Sequence, residues 1–330
     1  MPLCVTAKKI ARAPMTPQAQ IQQILLIQID QDDLQFRFSP LAPVLEDDSP
    51  LADSVRRVGI LHPPILRKRL DDRYLVISGH TRVLLAARIL GLGSLPCLVL
   101  PASCDDPLAL EVAFEALCAR RVPTPMEVAI FCHRIAAHLA IEEIAVRFLP
   151  RLGLPPTPFL VRQAIGLAEI EEPFAVAIHQ GRLHEAVGRE LMDLPLPDRL
   201  ALFELIDLLR LSVGNQRKLV AGCRELSGRE NVSLRSILGS VEIRDILDHQ
   251  EMNIPQKSAA LMRYLTARRF PQLTAAEAEF EQFRRGLNLP DNFTLEATPS
   301  FEDDRLRLTI TLAGRRELSQ RLPALLAGAR

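Results

Sequence analysis

Residues 79–82, Gly-His-Thr-Arg, place an imidazole, a hydroxyl and a guanidinium directly behind a glycine. They lie inside the run 74–91, YLVISGHTRVLLAARILG. Residues 74–77 are β-branched, aromatic or Leu, which predicts a buried strand. Gly79 predicts a turn. Val83, Leu84, Ala87, Ile89 and Leu90 then recur at helical spacing, and Gly91 stands where a helix-ending glycine belongs. A strand that turns on glycine into a helix N-terminus leaves backbone N–H groups free, in the positive end of the helix dipole. The chemistry that suits Gly79, His80, Thr81 and Arg82 is therefore anion binding. An ordinary strand–turn–helix with a solvated arginine has the same local pattern, so the neighbouring residues must decide between them.

Upstream stand Gly59-Ile60-Leu61-His62-Pro63-Pro64, then Ile65-Leu66-Arg67, a turn at Asp71-Asp72, and the strand into Gly79. This order resembles the N-terminal domain of the ParB family, the chromosome and plasmid partition proteins and their relatives. In that family a helix ends in a G-[IL]-[IL]-x-P box. A strand and turn follow, and a second strand runs into a G-x-x-R box that opens a helix. The resemblance spans residues 24–129, and a helix-turn-helix candidate behind it extends it to about Pro195.

The resemblance implies CTP as ligand, with the G-x-x-R box cradling its phosphates and a third box helping to hold Mg2+. It also implies a clamp on DNA that CTP closes and slow hydrolysis reopens. Residue by residue, Gly79 and Arg82 remain, with Thr81 as an extra donor. His80 replaces the acidic residue of the usual box. Gly59 and His62 belong to the first box, His62 standing where many relatives have Gln. Glu115 matches the third box, so the implied nucleotide and metal contact falls on it, while Ala116 stands where Asn would be. Pro125 and Glu127 match the helix start that follows. Phosphate binding is thus expected, and a weak CTPase activity is left open.

Hydrophobic content of 48% in 330 residues allows two or three domains with sizeable cores. Trp is absent and aromatics are 5%, so Leu, Ile, Val and Ala must build those cores, which argues for mostly helix. Lys+Arg and Asp+Glu are both 40, so nucleic-acid binding must come from local patches. No apolar run reaches membrane-spanning length and no signal-type segment is present, which predicts a cytoplasmic, nucleoid-associated protein without a membrane partner. The six Cys are scattered without C-x-x-C, as in a reducing compartment. The remaining His residues lack ligand spacing.

The fold class expected is α+β, mostly helical. Residues 1–20 read as a flexible arm. Residues 21–107 read as a small mixed-sheet domain, with strands at 24–29 and 96–100. Its helix at 51–58 is capped by Asp48 or Ser49 and turns Leu51, Val55 and Val58 inward. Residues 108–230 read as a helical DNA-binding domain. In it, Thr124-Pro125-Met126-Glu127 is a capping-box start for a helix running through Leu139. The pattern EEIAVRF at 142–148, a proline-rich turn at 150–158 and a helix at 159–170 read as a helix-turn-helix. Arg162 and Gln163 lie near the start of its second helix, as phosphate or base contacts. Residues 205–235 are the most basic stretch, and Arg217 and Lys218 could flank a DNA backbone. Gly214-Asn215 and Ser227-Gly228 read as turns.

Residues 231–330 read as a C-terminal domain. Helices are expected at 234–249, 255–270 and 275–286, the last capped by Thr274. Strands at 293–297 and 305–312 and a helix at 315–326 complete a ββα tail. A lone hairpin is marginal, so the tail should pack on its helix or on a second copy, giving a homodimer. A partner ATPase is implied by the family resemblance. An alternative reading remains. Gly79-His80-Thr81-Arg82 also resembles a box in ParB-fold free-serine kinases, whose preceding residue is typically Asp; here it is Ser78. A small-molecule kinase or nucleotide hydrolase would then need a carboxylate from Glu46 or Asp47.

Overall fold

The computed structural model describes residues 19–42, 49–298, 301 and 305–327. Most of the expected arm at 1–20, and Glu46, Asp47 and Asp48, lie outside them. The chain is α+β and mostly helical, with one small mixed sheet and a separate hairpin. It divides into two compact units, 1–193 and 194–330. The boundaries expected at 107/108 and 230/231 fall inside these units.

In the first unit, β1 (Gln20–Leu25), β2 (Ile29–Asp30), β3 (Ile65–Lys68), β4 (Tyr74–Ser78) and β5 (Ser94–Leu100) form a sheet in the order β1-β5-β3-β4-β2. β1–β5 and β3–β4 are antiparallel, while β3–β5 and β2–β4 are parallel. The single strand expected over 24–29 is two strands separated by a 3-10 turn at Leu26–Gln28. The turn lets Leu26 and Ile29, three residues apart, both reach the core while Ile27 stays in solvent. β4 lies inside the sheet and is buried along its whole length. Its pleat sends Leu75 and Ile77 into one core, with Phe36, Phe38 and Leu100. Tyr74 and Val76 enter the other, with Leu66, Val83, Leu95 and Val99.

α1 (Pro50–Val58) starts at Ser49, whose hydroxyl accepts the Ala52 N–H, and stops at Gly59, whose φ is 75°. Its inward face is Ala52 and Val55, packed on Leu85, whereas Leu51 and Val58 are exposed, contrary to expectation. Two residues three apart suffice for so short a contact. α2 (His80–Arg88) follows β4 directly.

α3 (Asp106–Cys118) and α4 (Pro125–Ile135) cover the Leu75 face of the sheet. Thr124 and Glu127 form the expected capping box. The helix ends at Ile135, short of Leu139. α5 (Ile141–Phe148), a 3-10 turn at Leu149–Leu152 and α6 (Pro158–Leu167) follow, then α7 (Glu172–His179) and α8 (Glu185–Met192). Four phenylalanines join sheet loop and helices. Phe114 stacks on Phe131 at 4.0 Å, and Phe131 meets Phe148 at 4.9 Å and Phe38 at 5.5 Å, both edge-on. Each such pair adds about 0.5–1.5 kcal/mol beyond its buried area. The sheet and the helices behind it therefore share one core, which is why residue 107 is no structural break.

The second unit holds α9 (Leu196–Leu208), α10 (Val213–Glu230), α11 (Leu234–Leu238), α12 (Val241–Asp248), α13 (Ile254–Arg269) and α14 (Pro271–Gly286). The hairpin β6 (Phe293–Ala297) and β7 (Leu306–Ile310) and α15 (Arg315–Ala327) complete it. α10 runs through both expected turns. Ser212 caps it, and its buried stripe of Leu219, Val220, Cys223 and Leu226 outweighs the low helix propensity of Gly214 and Gly228. The helix expected at 234–249 is two helices, broken at Gly239 and Ser240. Thr274 lies inside α14, its hydroxyl donating to the Phe270 carbonyl rather than capping. Arg229 donates to the carbonyls of Arg268 and Arg269 at 2.6 and 2.7 Å, closing the C-terminus of α13. No helix among the described residues is long and apolar enough to cross a membrane.

Candidate functional site

β4 delivers the chain to Gly79, whose φ is 98°. A Cβ there would lie 3.1 Å from Arg82 Nη2 and 3.2 Å from Pro64 Cα. Both the left-handed backbone and this close approach require glycine. Arg82 folds back across the turn, and its Nη1 donates to the His62 carbonyl. The two boxes, far apart in sequence, are thus locked together by one side chain. The residues between them form β3 and its turn into β4, which is the hairpin that makes the meeting geometric rather than accidental.

Gly59, His62, Gly79, His80, Thr81 and Arg82 all line one cavity of about 800 Å3. Sequence proximity alone did not bring them together; the end of α1 and the loop after it supply Gly59 and His62, and the start of α2 supplies the rest. The N–H groups of a first helical turn have no intrahelical acceptors, so this wall is set up for an anion. The opposite wall comes from α3 and from the loop before α1. Ala113, Ala116 and Leu117 form a stripe on α3 that Arg120 continues just past its end, and Phe36, Arg37, Ser39 and Leu41 come from the loop.

The wall is strongly cationic. Arg37, Arg82, Arg120 and Arg121 all border the cavity, and Glu127 is the single carboxylate among its described lining residues. Arg121 takes up that carboxylate with two contacts of 2.5 and 2.7 Å, and the Thr124 N–H adds a third at 2.9 Å. Burial pushes the Glu127 carboxyl up, but Arg121 and the Thr124 N–H outweigh it and hold the group below its usual value. Burial pulls the Arg82 guanidinium down, and the neighbouring charge of Arg120 pulls it further. Burial does the same to Arg37. The His80 imidazole is pulled from 6.5 to about 4, first by burial, then by Arg37, with Asp33 opposing. His80 is therefore neutral near pH 7, and its buried Nε2 has no hydrogen-bond partner among the described residues. Such a wall favours an anion over a cation.

Arg37, Arg120 and Arg134 were not singled out by sequence. Arg134, from the last turn of α4, donates to the carbonyls of Leu34, Gln35 and Arg37 at 2.9, 2.6 and 2.8 Å. It fixes the loop that carries Arg37 to the cavity. Arg120 was legible in principle, lying four and seven residues beyond Ala116 and Ala113 on the cavity stripe. Nothing local marks Arg37 or Arg134.

Glu115, the residue expected to touch nucleotide and Mg2+, is not on that stripe. It shares the other face of α3 with Glu111. Glu115 pairs with Arg151, and Glu111 pairs with Arg147 at 2.6 Å. This face meets α5 and the turn after it. Among the described residues no group of three or more His, Cys, Asp or Glu is placed to hold a metal ion. The one carboxylate among the described lining residues, Glu127, is taken up by Arg121.

The expected DNA contacts fall in separate places. Arg162 is exposed on the first turns of α6, 3.6 Å from Glu142 of α5, and Gln163 is half-buried beside it. α5 and α6 pack on each other and α6 packs on α4. Arg217 and Lys218 are exposed on α10, in the second unit.

The model of the ParB N-terminal domain matches residues 13–116. A probable chromosome-partitioning protein ParB of Neisseria meningitidis serogroup A is 27% identical over 152 residues, 46% of this chain and 51% of that protein. A probable chromosome 1-partitioning protein ParB of Deinococcus radiodurans is 28% identical over 213 residues, 64% of this chain and 68% of that protein. The match thus spans about half the length of the Neisseria relative. Two crystal structures of C-terminally truncated Caulobacter crescentus ParB are also similar. The one complexed with CTP-gamma-S has 21% identity and a TM-score of 0.26, covering 57% of this chain and 98% of that one. The one complexed to the centromeric parS site has 20% identity and a TM-score of 0.34, covering 61% and 98%. Residues 13–116 thus match the ParB N-terminal domain, and the chain is similar to chromosome-partitioning proteins of that name.

Proposed function

We propose that the chain is a DNA-binding partition protein of ParB type whose N-terminal domain binds a nucleoside triphosphate, CTP in the first instance. The observation that carries this reading is the convergence of Arg37, Arg82 and Arg120 with the first turn of α2 on one cavity of about 800 Å3. Guanidinium groups take phosphate in two-pronged contacts, and a cavity of this size suits a nucleotide. The choice of CTP rests on the family resemblance. DNA binding is assigned to α5 and α6 with Arg162 and Gln163, and to Arg217 and Lys218 of α10. A homodimer through the tail fits the exposed Leu306 and Leu308 of β7 and Leu318 and Leu322 of α15.

The kinase alternative would need Glu46 or Asp47, which lie outside the described residues. Ser78 is buried at the end of β4, and Glu127 is committed to Arg121 and to the start of α4. Neither offers a free carboxylate for a general base.

The test is calorimetric titration of the full chain with CTP, ATP, GTP and UTP in Mg2+ buffer, for wild type and Arg82→Ala, with and without mixed-sequence duplex DNA. Selective CTP binding that is lost in Arg82→Ala and changes with DNA supports the reading. Binding indifferent to Arg82, or none, overturns it. ATP turnover unaffected by DNA would restore the kinase alternative.

A further inference from the structure

We infer that the cavity holds its phosphate chain as the metal-free polyanion, neutralised by Arg37, Arg82 and Arg120 in place of a divalent cation. This rests on the reading of the cavity as a nucleotide site and deepens it.

Three observations point the same way. First, among the described residues no carboxylate pairs with Arg37, Arg82 or Arg120, although all three border one cavity. The guanidinium of Arg82 is held to the His62 carbonyl, and the Arg120 Nε to its own helix at the Ala116 carbonyl, 3.2 Å away. Those bonds orient the two groups without neutralising them. Second, these like charges already oppose one another. The neighbouring charge of Arg120 makes the charged form of Arg82 less favourable, after burial itself, and Arg37 does the same to His80. A divalent cation placed here adds to the opposed charge, while a triphosphate removes it. Third, among the described residues the carboxylates nearest the cavity are committed elsewhere. Glu127 is held by Arg121 and the Thr124 N–H, and Glu115 turns to Arg151 on the other face of α3. At the cavity face of the same helix stands Ala116, which has no donor at all.

Mg2+ normally lowers the charge of a bound triphosphate by bridging its oxygens, with one or two protein carboxylates completing the shell. Here the forked donors of arginine would do that work, each able to span two phosphate oxygens.

The test is calorimetric titration of the full chain with CTP and with inorganic tripolyphosphate, in excess EDTA and in excess Mg2+. Wild type, Arg120→Ala and Arg120→Lys are compared. The expected result is a CTP affinity that changes less than about threefold between the two buffers. Arg120→Ala should lose roughly tenfold or more, as for a charged hydrogen-bond partner, with Arg120→Lys between them. Tripolyphosphate should compete with CTP in EDTA. Arg120 is exposed at the end of α3, so its variants should fold, and their far-ultraviolet circular dichroism checks that. Binding that needs Mg2+ overturns the inference and leaves the nucleotide reading intact. Unchanged affinity in Arg120→Ala also overturns it. Absence of binding in both buffers overturns the nucleotide reading itself, and this inference with it.

Discussion

His179 Nδ1 lies 2.9 Å from the Thr124 hydroxyl, so the last residue of α7 is tied to the residue that caps α4. The other ring nitrogen, Nε2, is 3.4 Å from the Ser39 hydroxyl in the loop that lines the cavity. Thr124 Oγ1 already accepts the Glu127 N–H. Its own proton is then free to go to Nδ1, which leaves Nε2–H to donate to Ser39, an assignment from the network rather than from visible protons. One imidazole thus spans the cavity loop, the start of α4 and the end of α7. His179→Ala removes both contacts and leaves two hydroxyls to find water. It should cost about 1–2 kcal/mol of stability. Urea unfolding of both proteins measures this, and an unchanged midpoint would mean the bridge is not populated in solution.

Two half-buried histidines make stability depend on pH. His80 in the folded chain takes up a proton only near pH 4, against 6.5 for an ordinary histidine. Burial shifts His179 the same way, with Glu127 opposing and Arg121 assisting. Between those pH values the unfolded chain binds more protons than the folded one, so stability rises with pH across the window. Acidification from 6.5 to about 4 should therefore remove stability, on the order of 3 kcal/mol at the limit for His80. Glu127, whose folded value is lowered, adds its own loss only at the acid end, below its usual carboxylate range. Unfolding midpoints across this range should fall, and His80→Asn should flatten the upper part of the curve. Saturating nucleotide should flatten it too, because an anion beside His80 favours the imidazolium. A slope unchanged in His80→Asn would show that the imidazole is not the group responsible.

Gly79→Ala probes the turn itself. The added methyl meets Arg82 Nη2 at 3.1 Å and Pro64 at 3.2 Å, on a backbone at φ 98°. The left-handed penalty is about 1–2 kcal/mol, and the displaced Arg82 adds the loss of its cavity position. The expected outcome is a lower melting temperature together with at least tenfold weaker nucleotide binding. Gly59→Ala makes the comparison. Its φ is 75°, but a Cβ there meets nothing within 4 Å. It should show the stability loss with a smaller effect on binding. Equal effects from both would argue that Arg82 has no special role.

Much of this was legible in the sequence because it is local. The strand at 74–78, the turn at Gly79 and the caps at Ser49 and Thr124 are each set by residues within a few positions of one another. What was missed is of two kinds. Glycine and serine inside α10 read as turns because the buried stripe of Leu219, Cys223 and Leu226 is a tertiary fact that overrides propensity. The cationic wall was hidden for the same reason. Arg37 reaches the cavity only because Arg134, far along the chain, grips the carbonyls of its loop. Glu115 illustrates the converse error. A motif position fixed it as a site residue, but the helix phase puts Ala113, Ala116 and Arg120 on the cavity and turns Glu115 toward Arg151.

The last prediction concerns DNA. From α5 to just past α6, Glu142, Glu143 and Glu169 stand against Arg147, Arg151 and Arg162, so this stretch has no excess of positive charge. Arg147 is already drawn to Glu111 and Glu143 at 2.6 and 2.9 Å. Arg162 differs. Both it and its partner Glu142 are exposed, and 3.6 Å in water is a weak pairing. A phosphate can therefore take Arg162 at small cost. Arg162→Ala should weaken binding to all duplex sequences alike and reduce the slope of log affinity against log salt by about one, if the contact is to phosphate. If Arg162 reads a base edge instead, the loss should fall on a preferred sequence and amount to roughly 1–3 kcal/mol. Glu142→Gln frees the arginine and should strengthen binding modestly. Fluorescence anisotropy with labelled duplexes at several salt concentrations separates these cases. Binding that ignores both substitutions would remove α6 from the interface and leave Arg217 and Lys218 of α10 as the remaining candidates.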